Sequence, residues 1–545
     1  MTIASALLSL MSLSLVLKLS VPPSEAPHWL EAMLEEEGGF MLNKSWIVYD
    51  IPFGCNLMKA KWVFKKKKNK KGEVERYRAR IVIKGFTQKA GVDYNEIFAP
   101  VIRHSTLRLV LALCAFYGLF KRHLDLPKAF TQADMDFEAY VEAPPGITLP
   151  PGKCFKLLKA IYGLKQSAYL FNRLLTSFLL SLNFTQCVSD TCLFYLFNGN
   201  EIVIVCVYVD DILLASSTVE LCDRYCALLF DRFKANDLGP IEWILGMRIY
   251  TSADNYTIQI SHALYVQTII DLVERILGQE LQHNAIPMHP QCKLTKDMAP
   301  QTNAEREAMS HIPYGTIIGM LLYLMISCRP DIAFAVCAVS RYIDCYGPKH
   351  WEALLFLMRY LKANKDIRIT YSHDGGTTPV LRGYCDADWA ANDLDTRHSH
   401  SGYLFFLCNG PIAWKSKLQR SLALSTMDAE YYSMGDAAKE GVSLRDLHFE
   451  INQYLTAEEK AEATTIHNDA TSAIQLAENP VFHQRSKHIG IRHHFIRKLI
   501  EENIIKFEHL PSAQNLADLF TKPLNKIMFA PLCRLVMGAF KVLLN

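Results

Sequence analysis

Two adjacent aspartates, Asp210 and Asp211, lie between two apolar runs in the stretch "VIVCVYVDDILLAS", which covers residues 203–216. Both runs are rich in valine, isoleucine and leucine, which is typical of buried β-strands. Successive side chains of a strand point to opposite faces, so two adjacent carboxylates approach one point only where the chain turns. The stretch therefore predicts a β-hairpin that carries both carboxylates at its tip.

A carboxylate pair held by apolar strands is suited to hard divalent cations, because Mg²⁺ prefers oxygen ligands and is commonly held by one or two carboxylates plus substrate phosphates. Two such ions, about 3.5–4 Å apart, support in-line displacement at phosphorus. That chemistry needs a further carboxylate. The candidate is Asp125 in "HLDLPKAFTQADMDFEAYVEAPPG", at the end of a predicted strand. An ordinary strand-end or turn aspartate is the alternative.

A second set of acidic residues lies near the C-terminus, on separate predicted elements of one mixed unit. Its members are Asp386 in "LRGYCDADWA", Glu430 in "STMDAEYYSMGDAAKE", Asp469 closing "TTIHND" and Asp518 in "QNLADLFTK". Carboxylates from strand ends and a helix can converge on metal ions that activate water for phosphodiester cleavage. Taken singly, each would be a surface acid.

The charge of the chain is unevenly distributed. The formal net charge is only +3, but the segment 59–84, "KAKWVFKKKKNKKGEVERYRARIVIK", holds twelve Lys and Arg against two Glu. It contains two strand-like runs joined by the polar turn "KNKKGE", so it predicts a basic hairpin. A polyanionic partner is the first interpretation, and a solvated basic loop without a ligand is the alternative.

Length and composition indicate a globular protein of several domains. The 545 residues are 50% hydrophobic, enough for roughly three or four domains. The 15 cysteines form no CxxC pair, which favours reduced thiols over a disulfide framework. A helix is predicted in "PHWLEAMLEEEGGFMLNKSW", ending at Gly38 and Gly39. The region 220–371 is predicted to be mostly helical, with one strand in "NYTIQISH".

These motifs, in this order, resemble the reverse transcriptase of copia-type LTR retrotransposons, with "YVDD" and the Asp125 segment as its two acidic motifs. Further matching blocks run from Trp29 to Pro523 and include "WIVYDIP", "KWVFKKK", "RARIVIKGFTQKAGVDYNEIFAPVIR", "LLKAIYGLKQSA" and "DLGPIEWILGMRI". The second acidic set, in "DADWA", "STMDAEYY", "HND" and "ADLFTK", resembles the ribonuclease H domain of the same elements.

The resemblance implies an α/β (α+β) fold: a right-hand polymerase with fingers, palm and thumb, then a connection and an RNase H-like mixed-sheet domain. We predict an apolar leftover at 1–27, fingers and palm at 28–250, thumb and connection at 251–375, the RNase H-like domain at 376–524 and a C-terminal tail at 525–545. The implied activity is RNA-directed DNA synthesis with hydrolysis of the RNA strand of hybrids.

The resemblance also implies roles for individual residues, with Mg²⁺ or Mn²⁺ as the cofactor. The polymerase metal ligands would be Asp125, Asp210 and Asp211, and the nuclease would use Asp386, Glu430, Asp469 and Asp518, of which the first three bind metal. The substrate contacts would be Phe130 as a gate against a 2′-hydroxyl, Gln166 and Tyr208 near the nucleotide, and Arg78, Arg80 and Lys84 on triphosphate or template. The implied partners are an RNA template, a DNA primer, the RNA:DNA hybrid and dNTPs; no oligomeric state is implied.

The chain departs from the family pattern at several positions. Pro127 and Lys128 replace the usual Lys-Thr, Tyr169 stands where Arg is usual, Ala470 where Asn is usual and Gly490 where Asp is usual. Proline removes a backbone donor beside the first aspartate. No predicted metal ligand is lost. Because a decaying copy of an element would show such departures, a catalytically inactive nucleic-acid-binding remnant is the rival hypothesis.

The N-terminal stretch "MTIASALLSLMSLSLVLKLSVPPSEA" has no charge before Lys18 and no basic n-region. We favour a translated leftover over a signal peptide or membrane anchor. The basic "HQRSKHIGIRHHFIRK" segment is interpreted either as a track for the hybrid backbone or as a solvated helix. We expect a cytoplasmic location in a virus-like particle, or a nuclear one, and no membrane association.

Overall fold

The structure is a computed structural model that describes residues 22, 24–68, 73–373, 375–390, 393–478 and 490–538. Most of the predicted leftover 1–27 and the first half of the "HQRSKHIGIRHHFIRK" segment lie outside these residues. The mixed α/β class predicted from the sequence is confirmed, since the described part of the chain contains five β-sheets, with helices distributed between them.

A helix and a basic hairpin form the first part of the fold. The helix Ala26–Leu42 packs Trp29 and Met33 against the strand Val74–Ile83, which pairs with Ala60–Lys68 in the predicted antiparallel hairpin. The predicted helix end at Gly38 and Gly39 is wrong. A Cβ at Gly39 would lie 1.8 Å from the Lys128 ammonium nitrogen, so this glycine allows a close approach and does not end the helix.

A small sheet lies next to this hairpin, and short 3₁₀ turns follow along the chain. The order of the strands in the sheet is Trp46–Asp50, Lys153–Leu157, Tyr140–Val141 and Leu57–Met58. The 3₁₀ turns among the described residues are Gly85–Thr87, Ala129–Gln132, Lys296–Met298, Pro330–Ile332, Ser512–Gln514 and Leu516–Phe520.

A six-stranded sheet carries the first acidic motifs. Its strand order is Asn236–Pro240, Phe120–Asp125, Asp211–Ser216, Glu201–Tyr208, Leu193–Asn198 and Thr185–Gln186. Helix His104–Tyr117 covers one face, and helices Ser167–Ser181 and Val219–Phe233 cover the other. Because both faces of the sheet are buried, the sequences of its central strands are continuous apolar runs that do not alternate with polar residues.

The third region combines a sheet with five helices. Its strands are Trp243–Ile244, Met247–Thr251, Thr257–Ser261 and Ile369–Ser372, in that order, and its helices are Ala263–Leu277, Asn303–Ser310, Tyr314–Ser327, Ala333–Ser340 and Pro348–Ala363. The prediction of a single strand in the region 220–371 was therefore wrong. The domain boundary predicted at residue 250 falls inside the strand Met247–Thr251, and it remains a prediction.

No single helix among the described residues is long and apolar enough to cross a membrane. One pair, Asn303–Ser310 with Tyr314–Ser327, passes that test of length and composition together but is bent by 51°.

The C-terminal region contains a five-stranded mixed sheet. Its order is Gly410–Leu418, His400–Leu407, Arg382–Asp388, Thr464–Asn468 and Ile505–His509, with the last two pairings parallel. The helices of this region are Thr426–Ile451, Ala457–Ala461, Thr471–Glu478, Gly490–Glu501 and Lys526–Val536. The last of them begins the predicted tail 525–545 and packs Phe529 against Tyr360, with ring centroids 5.6 Å apart.

One buried arginine ties the three regions together. Arg108, on helix His104–Tyr117, is 4% exposed. Its guanidinium donates hydrogen bonds to the carbonyls of Ile412 (2.8 Å), Ile326 (2.7 Å) and Ser327 (2.7 Å), and it lies 3.9 Å from the centroid of the Trp414 ring. Burial lowers the pKa of Arg108 to about 10, which leaves the group charged at neutral pH. The C-terminal sheet is thereby fixed to the six-stranded sheet.

We expect Arg108→Met to lower the free energy of unfolding by about 2–4 kcal/mol, because it leaves three buried carbonyls without a donor while keeping an apolar stem. Urea denaturation followed by tryptophan fluorescence measures the change. The exposed Arg420 supplies the matched control, Arg420→Met, which should shift stability by less than about 0.5 kcal/mol. Equal costs for the two substitutions would contradict the anchoring role.

Candidate active sites

The three aspartates of the first set meet at one end of the six-stranded sheet. Asp125 ends its strand directly opposite Asp211, which begins the neighbouring antiparallel strand. Tyr208 pairs with Asp211 across the hairpin, so Val209 and Asp210 form its two-residue turn. The backbone N–H of Leu126 donates to the Asp210 carbonyl at 2.8 Å. The predicted hairpin is confirmed, and the register places Asp125 beside it.

The turn of this hairpin is strained. Val209 has φ +57°, in the left-handed region that two-residue hairpin turns require and that glycine or asparagine usually occupies. For a β-branched residue this conformation costs about 1–3 kcal/mol. The apolar strands on both sides hold the turn in place despite that cost. The strain sits directly beside Asp210, where it fixes the direction of the backbone.

The electrostatics of this site favour a bound cation. Burial raises the pKa of Asp210, the charges of Asp211 and Asp125 act in the same direction, and Arg80 opposes them. A ring nitrogen of His123 lies 3.1 Å from Asp211 Oδ1, and the Asn236 amide lies 3.4 Å from Asp125 Oδ2. The donor set is carboxylate oxygen and each aspartate is half-buried, which suits a hard cation shared with a substrate.

Two predicted substrate residues lie around one aromatic side chain. The guanidinium of Arg80 lies 4.7 Å from the centroid of the Tyr162 ring. Phe130, in the turn Ala129–Gln132, has its ring centroid 4.8 Å from that of Tyr162. The charges of Arg80, Arg78 and Asp210 all act on the Tyr162 hydroxyl. Arg80 and Phe130 therefore share one contact, the Tyr162 ring, and the charge of Asp210 acts on the hydroxyl of that residue.

The other predicted substrate residues are placed differently. Gln166 is fully buried: its amide nitrogen donates to the Asp93 carbonyl at 2.9 Å and its oxygen accepts from Gln88 at 2.9 Å. Its amide is engaged by the protein and anchors a loop, and its contact with a nucleotide stays a prediction. Tyr208 is half-buried on the hairpin, and Lys84 is half-buried just after the basic strand.

The unusual Lys128 is positioned by the N-terminal helix. It has φ +52°, and its ammonium lies against Gly39. The Lys128 charge also acts on Glu36, whose pKa is raised by burial and lowered in part by Lys128, Arg80 and Arg78. Sequence reasoning missed Glu36, because nothing in its local pattern distinguishes it from the neighbouring surface glutamates of the helix.

The second acidic set converges more tightly than the first. Among the described residues, Asp386, Glu430 and Asp469 are the one group of three acidic or metal-ligating side chains whose ligand atoms all lie within 4.8 Å of one another. The strands Arg382–Asp388 and Thr464–Asn468 are parallel, so their carboxyl ends meet at the same edge. The helix Thr426–Ile451 brings Glu430 over that edge.

A ring of polar side chains surrounds this second site. Asn468 donates to Glu430 Oε2 at 3.0 Å and to the Cys385 carbonyl at 3.1 Å. Thr521 donates to Asp386, and Ser512 donates to Asp469. The ammonium of Lys522 lies 2.8 Å from Asp518 Oδ1 and 3.7 Å from Asp386 Oδ2. Sequence reasoning missed Asn468, Thr521 and Lys522, although Asn468 stands in the "HND" motif and the other two in "ADLFTK".

Burial dominates the protonation of this site. It raises the pKa of Asp386 and, well above the ordinary range, that of Glu430, to which the charge of Asp386 adds. Burial and the charge of Asp386 raise the pKa of Asp518 to about 7, against the opposing Lys522 ammonium. Carboxylates that lie this close together and are shielded from water fit a divalent cation, whose charge would compensate their repulsion.

Sequence comparisons with known proteins identify a family. The profile described as "Reverse transcriptase (RNA-dependent DNA polymerase)" matches residues 43–289. The Retrovirus-related Pol polyprotein from transposon TNT 1-94 of Nicotiana tabacum is 35% identical over 517 residues, covering 94% of this chain and 38% of that protein. The corresponding polyprotein from transposon RE2 of Arabidopsis thaliana is 34% identical over 518 residues, covering 94% and 34%.

The chain spans 38% and 34% of the length of these two relatives. Among solved structures, a foamy viral protease-reverse transcriptase in complex with double-stranded DNA is similar with a TM-score of 0.47 and 12% identity, over 88% of this chain and 70% of that one. The resemblance inferred from the motifs is confirmed by the sequence matches. Residues 43–289 belong to the reverse transcriptase family, and over most of its length the chain is homologous to the retrovirus-related Pol polyproteins of copia-type transposons.

Proposed function

We propose that this chain is an RNA-directed DNA polymerase with a fused ribonuclease H, which copies retrotransposon RNA into cDNA and degrades the RNA of the hybrid. The observation that carries the proposal is the presence of two separate acidic centres in one chain. One lies at the Asp125 and Asp211 strand pairing inside the matched residues 43–289, and the other at Asp386, Glu430 and Asp469.

At the first centre, Asp125, Asp210 and Asp211 would hold two Mg²⁺ or Mn²⁺ ions. When bound, such ions lower the pKa of the primer 3′-hydroxyl and offset the charge of the departing pyrophosphate. The protein itself fixes the carboxylates: the strand register sets Asp125 against Asp211, and the strained turn at Val209 sets Asp210.

The residues facing this centre fit a deoxynucleoside triphosphate and a nucleic-acid strand. Arg80 supplies positive charge that acts on Asp210, and Arg78 acts with it on Tyr162; the guanidinium geometry of both suits phosphate. Phe130 would crowd a ribose 2′-hydroxyl. The remaining Lys and Arg of the basic hairpin would neutralise phosphates of the template, so binding should weaken as salt rises.

At the second centre, Asp386, Glu430 and Asp469 would hold the divalent ions that activate water for cleavage of the RNA strand. Asn468 and Thr521 orient Glu430 and Asp386 through their hydrogen bonds. Such outer partners commonly change metal affinity or activity by about 10–100-fold when removed. Asp518, with a pKa of about 7 beside Lys522, can hold a proton near neutral pH.

Two substitutions should separate the activities of the full chain. Asp210→Asn should reduce primer extension on an RNA template by at least about a hundredfold and leave cleavage of a pre-formed RNA:DNA hybrid within about twofold. Glu430→Gln should do the opposite, because each variant removes one charge from one centre. Gel assays with labelled primer and labelled RNA measure both, and each retained activity shows that the variant is folded.

Two outcomes would contradict the proposal. Equal extension by wild type and Asp210→Asn would reject the polymerase centre, and persistent cleavage by Glu430→Gln would reject the nuclease centre. A wild-type chain that binds template in a salt-sensitive way but neither extends nor cleaves would establish the rival, an inactive nucleic-acid-binding remnant.

The raised pKa of Asp518 predicts a pH dependence of stability in EDTA. A carboxyl whose folded-state pKa lies near 7, above its ordinary 3.8, binds its proton more tightly in the folded state, so folding stability falls as pH rises through that interval. Asp518→Asn should remove this contribution. The free energy of unfolding of the variant should therefore decrease less between pH 5 and pH 8 than that of wild type, by about 2 kcal/mol.

Urea denaturation at each pH measures this difference. The exposed Asp366 supplies the matched control, and Asp366→Asn should follow the wild-type profile. An Asp518→Asn profile parallel to wild type would show that the Asp518 carboxyl is not protonated in the folded chain.

A further inference from the structure

Tyr162 links the two substrate residues that the sequence motifs imply. Its ring lies 4.7 Å from the Arg80 guanidinium on one side and 4.8 Å from the centroid of the Phe130 ring on another. The interplanar angle with Phe130 is 57°, a tilted contact, and Phe130 in turn makes an edge contact with Phe171 at 6.4 Å. The distance between the Arg80 guanidinium and the Phe130 ring therefore depends on the Tyr162 side chain, which contacts both.

The backbone of Tyr162 is also held in place by its neighbours. Its carbonyl accepts a hydrogen bond from the N–H of Ile83 at 2.8 Å, at the end of the strand that carries Arg80. Gly163 follows with φ +96°, and a Cβ there would lie 2.1 Å from the Ile83 carbonyl oxygen. The end of the basic hairpin and the Tyr162 turn therefore move together.

Arg80 is held with an unused donor. Among the described residues, its buried Nε has no hydrogen-bond partner, although the charge of the group acts on Asp210. A buried donor without a partner is costly, and an anionic ligand would satisfy it. A cation is attracted to the face of an aromatic ring. The Tyr162 ring therefore keeps the Arg80 guanidinium in position before an anionic ligand binds.

We propose that Tyr162 is a positioning residue that determines nucleotide specificity, by holding Arg80 for the triphosphate and Phe130 against the 2′ position at a fixed separation. The proposal rests on the proposed polymerase function. It goes further by making triphosphate affinity and sugar discrimination depend on the same ring. Loss of the ring should therefore change both together, whereas loss of the hydroxyl alone should change neither.

Binding of dCTP and CTP to the full chain on a primer-template with a dideoxy-terminated primer tests this, because no bond needs to form. The readout is nucleotide-dependent resistance of the complex to a heparin challenge, in Mg²⁺. We expect Tyr162→Leu to weaken dCTP binding roughly tenfold and to bring dCTP and CTP affinities several-fold closer. Tyr162→Phe, which keeps the ring, should stay within about twofold of wild type on both measures.

Several results would overturn the proposal. The first is a Tyr162→Leu variant with the dCTP affinity and the dCTP/CTP discrimination of wild type. The second is an equal loss of dCTP affinity in Tyr162→Phe and Tyr162→Leu. The third is a Tyr162→Leu variant whose affinities for dCTP and CTP fall by the same factor. Unchanged binding of the primer-template itself, measured without nucleotide, shows that Tyr162→Leu is folded. A wild-type complex that takes up no dCTP would also overturn it, whereas dCTP uptake without extension of an unblocked primer would count against the polymerase function alone.

Discussion

Repulsion between carboxylates that the fold holds close together and partly away from water is the constraint on which both centres depend. Burial raises the pKa of Asp210 at one centre and of Asp386 and Glu430 at the other, and neighbouring acids add to each shift. A folded chain tolerates such clusters only if strong local structure keeps them together. A divalent cation then stabilises what the protein alone finds unfavourable.

Each cluster is held by a different kind of local structure. At the first centre the restraint comes from the backbone: apolar strands buried on both faces keep Val209 at φ +57° and set Asp125 against Asp211. At the second centre it comes from side chains such as Asn468, which bridges Glu430 and the Cys385 carbonyl. Arg108 joins the regions that carry the two centres through buried hydrogen bonds.

Local patterns allowed much of this to be predicted from the sequence. The hairpin at Asp210 follows from continuous apolar runs on both sides of two aspartates, and the basic hairpin follows from two strand-like runs joined by a polar turn. Both signals depend only on neighbouring residues. The pairing of Asp125 with Asp211 depends on strand register across the sheet, which no local pattern contains. The same limit explains one error, because Gly39 allows the Lys128 approach and does not end a helix. It also explains why no local pattern showed the bonds of Gln166 to Gln88 and Asp93.

Thermal unfolding of wild type, Asp210→Asn and Glu430→Gln, in EDTA and in millimolar Mg²⁺, tests the central claim most directly. If carboxylate repulsion constrains both centres, each substitution should leave the melting temperature in EDTA equal to or above that of wild type, because a neutral amide replaces a carboxyl whose ionised form repels its neighbours. Added Mg²⁺ should then stabilise wild type more than either variant. Variants that melt below wild type in EDTA and gain as much as wild type from Mg²⁺ would contradict the account.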